Sequence, residues 1–127
     1  MPVFNTLHPI LWTEQFDESI RFYTDVLEFS LEEKNDSWQW ALLEKDYVRI
    51  MLSKPNAHEK SRKIGFISSF YFNVNNVVRL WEDLKDKVKV CYEIETFEWG
   101  MKEFAIYDNN GYLLQFGQPV DEISLEG

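Results

Sequence analysis

Short apolar stretches, each closed off by polar or turn-forming residues, recur twice along the chain in the same order. Residues 7–13 form an apolar run with strand character, followed by a segment opening at Asp17. There Ile20, Tyr23 and Leu27 recur at i, i+3 and i+7, the stripe of an amphipathic helix. Residues 66–74 are again strand-like, and Asn75 or Asn76 can cap a helix that presents Val77, Leu80, Trp81 and Leu84 on one face. Three strand-like stretches follow each helix: 29–33, 38–44 and 47–53, then 88–94, 102–107 and 112–117.

The repetition is visible in the residues themselves. At an offset of 64, residues 41–55 align without a gap on 105–119: Ala41 on Ala105, Leu42 on Ile106, Glu44 on Asp108, Ile50 on Leu114 and Leu52 on Phe116. The pattern predicts an α+β fold of two β-α-β-β-β modules in one domain spanning 1–127. Module one covers 5–53, a polar linker 54–64, module two 65–119 and a tail 120–127. A lone module would leave one sheet face uncovered, so two must combine, within a chain or across a dimer.

Composition narrows the function. A 127-residue chain can bury a core without disulfides, and its one cysteine, Cys91, reads as a small strand residue in a reducing compartment. A net charge of −9 argues against a nucleic-acid partner, which needs a basic face. No apolar run reaches the roughly 18 residues of a membrane span, and no leader opens the chain, so a cytoplasmic protein with no membrane partner is expected. Aromatic residues make up 17% of the chain, with five tryptophans, more than a small core needs. Some of these rings should line a pocket or a subunit interface.

Three motifs resemble one family. A strand histidine, His8, precedes Phe22-Tyr23 by fourteen and fifteen residues, and the last hairpin turns at Asp108-Asn109-Asn110-Gly111. Trp99-Gly100 precedes the penultimate strand. Together these resemble the vicinal oxygen chelate superfamily, which includes glyoxalase I, extradiol dioxygenases and the bleomycin-resistance proteins. The resemblance runs from Thr6 to about Pro119. It implies a cup-shaped mixed sheet with helices outside, and metal ligands on the first and fourth strand of each module. Those positions are His8, Met51, Ser69 and Gln115 here, where metal-using members place a glutamate at the last. A thioether, a hydroxyl and a neutral amide leave one good ligand in four and no carboxylate, so no metal and no cofactor is expected.

Loss of the ligand set with the fold kept resembles the bleomycin-resistance branch, whose members sequester a drug at a dimer interface without chemistry. The expectation is a homodimer that binds a planar or aromatic ligand, with or without an anionic group, and has no catalytic residues. A metal-dependent lyase or isomerase, or a dioxygenase, is the alternative, and a dimeric domain with no ligand of its own is a third reading. Side-chain alternation adds Ile10, Trp12, Tyr47, Arg49, Ser53, Tyr71, Asn73 and Leu113 to the face bearing the ligand-equivalent positions. Leu11, Val48, Ile50, Leu52, Phe70, Phe72, Leu114 and Phe116 fall on the apolar face toward the helices. For the third strand of each module, parity depends on the turn: either Trp38 and Trp40 or Gln39 and Ala41 share the lined face. The expected ligand contacts are His8, Trp12, Arg49, Met51, Ser69, Tyr71, Trp99 and Gln115. His8 is a hydrogen-bonded strand residue or a ligand contact, and Trp99 a stacking platform or a loop ring over the core edge. Arg49 needs a partner, either an internal acid such as Glu103 or a carboxylate or phosphate of the ligand.

Overall fold

The computed structural model describes residues 1–55 and 69–122, which fall into two units, within Met1–Arg62 and within Lys63–Gly127. The first comprises β1 (Ile10–Trp12), α1 (Phe16–Arg21), β2 (Ser30–Asn35), β3 (Trp40–Lys45) and β4 (Val48–Ser53). The second comprises β5 (Ser69–Asn73), α2 (Val77–Leu84), β6 (Lys89–Thr96), β7 (Met101–Tyr107) and β8 (Leu113–Pro119). Each is a β-α-β-β-β unit with a four-stranded mixed sheet, ordered β1-β4-β3-β2 and β5-β8-β7-β6. The first and last strands of each unit pair in parallel and the others antiparallel. The α+β architecture expected from the repeat is observed. Most of the expected linker, including His58, and the start of the 66–74 run lie outside the described residues. Among the described residues, no helix is long and apolar enough to cross a membrane.

Local chemistry explains where each helix starts. Before α1 the buried Thr13 hydroxyl accepts the Gln15 N–H at 2.9 Å and lies 2.7 Å from the Ser19 hydroxyl, so Thr13 organises the first turn. Asn76 is the cap of α2, its Oδ1 accepting the Arg79 N–H at 3.2 Å. A second cap comes from β8: the buried Gln118 accepts the Val77 N–H at 3.1 Å and donates to the Asn75 carbonyl. This satisfies one orphan N–H of the helix start and the carbonyl before its cap, and ties the helix to the last strand.

Helix α1 does not end where its stripe does. It widens over Phe22–Val26, with the Leu27 N–H reaching the Phe22 carbonyl, and closes on Glu28 at φ 62°. The Phe29 N–H then caps the Tyr23 carbonyl at 2.8 Å. Widening drives Tyr23 wholly into the core, edge-on to Phe22 and Phe29.

The apolar sheet faces pack as the alternation predicts. Ile50 and Leu52 of β4, and Leu114 and Phe116 of β8, are buried. In the second unit, Phe72, Phe116 and Phe104 stack in series across β5, β8 and β7, and Trp81 of α2 tilts onto Phe104 at 5.2 Å. Large rings of this kind bury more area apiece than aliphatic side chains.

The gapless repeat is corrected on one strand. Ala41 pairs with Leu52 while Phe104 pairs with Phe116, so Ala41 corresponds to Phe104 and not to Ala105. The cause is the turn: Asp46-Tyr47 in the first hairpin, against Asn109-Asn110-Gly111 within the Asp108–Tyr112 closure of the second. One extra turn residue shifts the preceding strand by one, and a one-residue shift exchanges its two faces. Ala41 and Leu43 therefore face the core, and Trp40 and Leu42 share the opposite face with Met51.

Candidate functional site

The polar face of the second sheet is built around one buried carboxylate. Glu103, on β7 opposite Gly117, is only 4% exposed. Tyr71 on β5 donates its hydroxyl to Glu103 Oε2, and Tyr92 on β6 donates to Oε1 at 3.3 Å. The Gln115 amide on β8 donates to the Tyr92 hydroxyl at 3.0 Å. Four strands thus each contribute one polar group. Burial, then the hydrogen bond to Glu103, holds the Tyr71 hydroxyl well above the usual tyrosine range. Burial raises Tyr92 as well, against the hydrogen bond from Gln115.

Glycine at position 117 makes this arrangement possible. A Cβ there would overlap the Tyr71 hydroxyl oxygen and lie 3.2 Å from Glu103 Oε2. The Tyr71 ring crosses the strand where any other residue would stand.

An aromatic run leads outward from this network. The Tyr92 ring meets Phe97 edge-on at 5.6 Å, and Phe97 lies parallel to Trp99 at 4.6 Å. Trp99 sits in the turn before β7, where Gly100 adopts φ 85°, and is 61% exposed. A flat apolar surface therefore stands beside a set of polar groups, the usual composition of a small-molecule site.

The first sheet differs at the corresponding places. Met51 Sδ accepts the Trp40 indole N–H at 3.4 Å. Arg49 donates its Nε to Glu44 Oε2 across the β3–β4 ladder at 2.6 Å. His8, half-buried, shares with Arg49, Glu44, Asp46 and Tyr47 an open groove of about 480 Å³.

The expected contacts thus divide between the units. Tyr71 and Gln115 join one network, and Trp99 lies at the end of the aromatic run leading from it; His8 and Arg49 line the groove of the first unit. Met51 is bound to Trp40, Trp12 stands half-buried opposite Ser53, and Ser69 is exposed opposite Leu113. Glu103 is not the partner of Arg49: that partner is Glu44, and Glu103 is held by the two tyrosines. Sequence reasoning missed Tyr92, Phe97 and the central role of Glu103. An acid directly before the apolar run Phe104-Ala105-Ile106 was the available signal.

The donor set at His8, Met51, Ser69 and Gln115 does not fit a divalent metal. The Met51 sulfur is soft and already engaged, the Gln115 amide donates a hydrogen bond, and no member is a carboxylate. Among the described residues, no three His, Cys, Asp or Glu side chains are grouped to hold an ion.

Several solved structures share this fold. A glyoxalase/bleomycin resistance protein/dioxygenase superfamily member from Sphaerobacter thermophilus superposes with TM-score 0.79 at 15% identity, covering 91% of this chain and 98% of that one. A lactoylglutathione lyase from Agrobacterium tumefaciens gives TM-score 0.71 at 16% identity, covering 93% and 96%. TnmS3, an antibiotic binding protein from Streptomyces sp. CB03234, gives TM-score 0.76 at 15% identity, covering 94% and 98%. At these identities the likeness is one of fold. No curated protein matches the sequence. The family model described as Glyoxalase/Bleomycin resistance protein/Dioxygenase superfamily matches residues 6–116, nearly the whole of the two repeated units, and the chain belongs to that superfamily.

Proposed function

We propose that the chain is a metal-free small-molecule-binding protein of the bleomycin-resistance kind, a cytoplasmic homodimer that sequesters a planar or aromatic compound without transforming it. The observation that carries this reading is Trp99, exposed and stacked parallel on Phe97 at 4.6 Å beside a polar network. An exposed ring already backed by a second ring is a low-entropy stacking platform for a flat ligand. Fold likeness to TnmS3, an antibiotic binding protein, supports the same reading, as does a donor set unsuited to a divalent ion. Arg49 is a weaker anchor than Trp99, because an anion there must share the guanidinium with Glu44.

Tryptophan fluorescence titrated with acridone, a flat neutral ring system, tests the platform. Quenching with saturation is expected, and Trp99→Ala should weaken binding by about 1–3 kcal/mol, the loss of a stacking anchor. Unchanged affinity in that variant overturns the platform. Light scattering should report a dimer. Elemental analysis should find no stoichiometric zinc, nickel, iron or manganese; about one tightly held metal per chain would instead favour the lyase or dioxygenase reading.

A further inference from the structure

We infer that the Glu103 network selects ligands that carry a positively charged hydrogen-bond donor, so that the compound held on Trp99 is a planar cation. This deepens the function proposed above and rests on it. The inference comes from the direction of the hydrogen bonds. Gln115 donates to Tyr92, Tyr92 donates to Glu103, and Tyr71 donates to Glu103. Both tyrosine protons and one amide proton therefore point inward. The groups remaining to meet a ligand are mostly acceptors: the Tyr71 oxygen, the Gln115 carbonyl and the unused lone pairs of the carboxylate, against one further N–H of the Gln115 amide.

Charge points the same way. A carboxylate has about four lone-pair positions, and here two neutral hydroxyls occupy two of them. Among the described residues no lysine, arginine or histidine forms an ion pair with Glu103; the five partners of Arg49, Lys34, Arg79 and Lys85 are all other acids. A buried carboxylate compensated only by neutral donors remains attractive to a cation. The flanking rings are suited to it also, since the Phe97–Trp99 stack offers π faces to a delocalised positive charge. A net charge of −9 adds a long-range field of the same sign.

Calorimetric titration near neutral pH separates this from the general binding reading, using three flat probes of similar size. They are 9-aminoacridine, a cation, acridone, which is neutral, and anthraquinone-2-sulfonate, an anion. The full-length protein should bind 9-aminoacridine about ten- to hundredfold more tightly than acridone, the worth of one charge-assisted hydrogen bond. The sulfonate should bind most weakly. The cation preference should persist in about 1 M NaCl, where the screening length of about 3 Å removes the long-range field and leaves direct contact. Glu103→Gln, nearly isosteric, should bring the cation and acridone to within about twofold of each other, since the charge-assisted bond is lost. Equal affinity for all three probes, or a preference abolished by salt, overturns the charge selection and leaves planar binding standing. Binding of none overturns both. The salt series uses the unmodified protein, so the inference stays testable if the variant fails to fold.

Discussion

The same four places in the two sheets hold opposite chemistry. Ile10 stands opposite Met51 as Tyr71 stands opposite Gln115, and Trp40 opposite Ser53 as Glu103 stands opposite Gly117. In the first sheet these positions carry an indole, a thioether, a hydroxyl and an isoleucine, and its charge is settled by a surface pair, Arg49 with Glu44. The second sheet carries there a buried acid, a phenol bound to it, an amide and a glycine, and Tyr92 of β6 adds a second phenol. The frame is shared because both modules need the same core face. The opposite face is free to diverge because it bears no packing duty common to the two. Chemistry therefore resides in a face and not in the fold.

The contrast can be broken most severely from its core side. Phe104 fills the position of Ala41 and stacks on Phe116. Phe104→Ala should cost about 3–5 kcal/mol in denaturant unfolding, as for other buried rings. A loss below about 1 kcal/mol would mean that the ring ladder does not support the second sheet.

A smaller perturbation tests the polar face alone. Gly117→Ala places a methyl where the Tyr71 hydroxyl lies, so the phenol must swing away and leave Glu103 short of a donor. Destabilisation of about 1–3 kcal/mol is expected, and Tyr71→Ala in the same background should recover part of it by vacating the space. The raised Tyr71 and Tyr92 values carry a sign as well. Both phenols stay protonated longer when folded, so their contribution is intact below the ordinary value of 10.0 and fades as pH climbs above it. Unfolding followed from pH 9 to 12 should show falling stability, flattened by Tyr71→Phe.

The smallest effect belongs to the first sheet. Arg49 and Glu44 form an exposed pair, with side chains 51% and 30% accessible. A double-mutant cycle with Arg49→Ala and Glu44→Ala should give a coupling of about 0.2–1 kcal/mol, diminished by salt. A coupling as large as the Gly117→Ala effect would erase the difference drawn between the two faces.

Much of this was legible in the chain. The stripes Ile20-Tyr23-Leu27 and Val77-Trp81-Leu84 place the helices, and Ile50, Leu52, Leu114 and Phe116 mark the core face because strand alternation has no other reading. The third strand was not legible, because its parity hangs on a turn whose length differs by one residue between hairpins. Glu103 was illegible for a related reason. With β7 in the wrong register it has no defined face, and its partners come from strands 32 and 11 residues distant. No local pattern records such a meeting.

Gly117 has a consequence for how this sequence can drift. The absence of one side chain lets Tyr71 and Glu103 touch, so these three positions are free to change only as a set. A lineage that acquires a side chain at 117 must first shed the Tyr71 ring, and once the ring is gone the reason to keep an acid at 103 weakens. Among descendants of this chain, glycine at 117 should travel with tyrosine at 71, and its replacement should mark the branch at which the ligand changed.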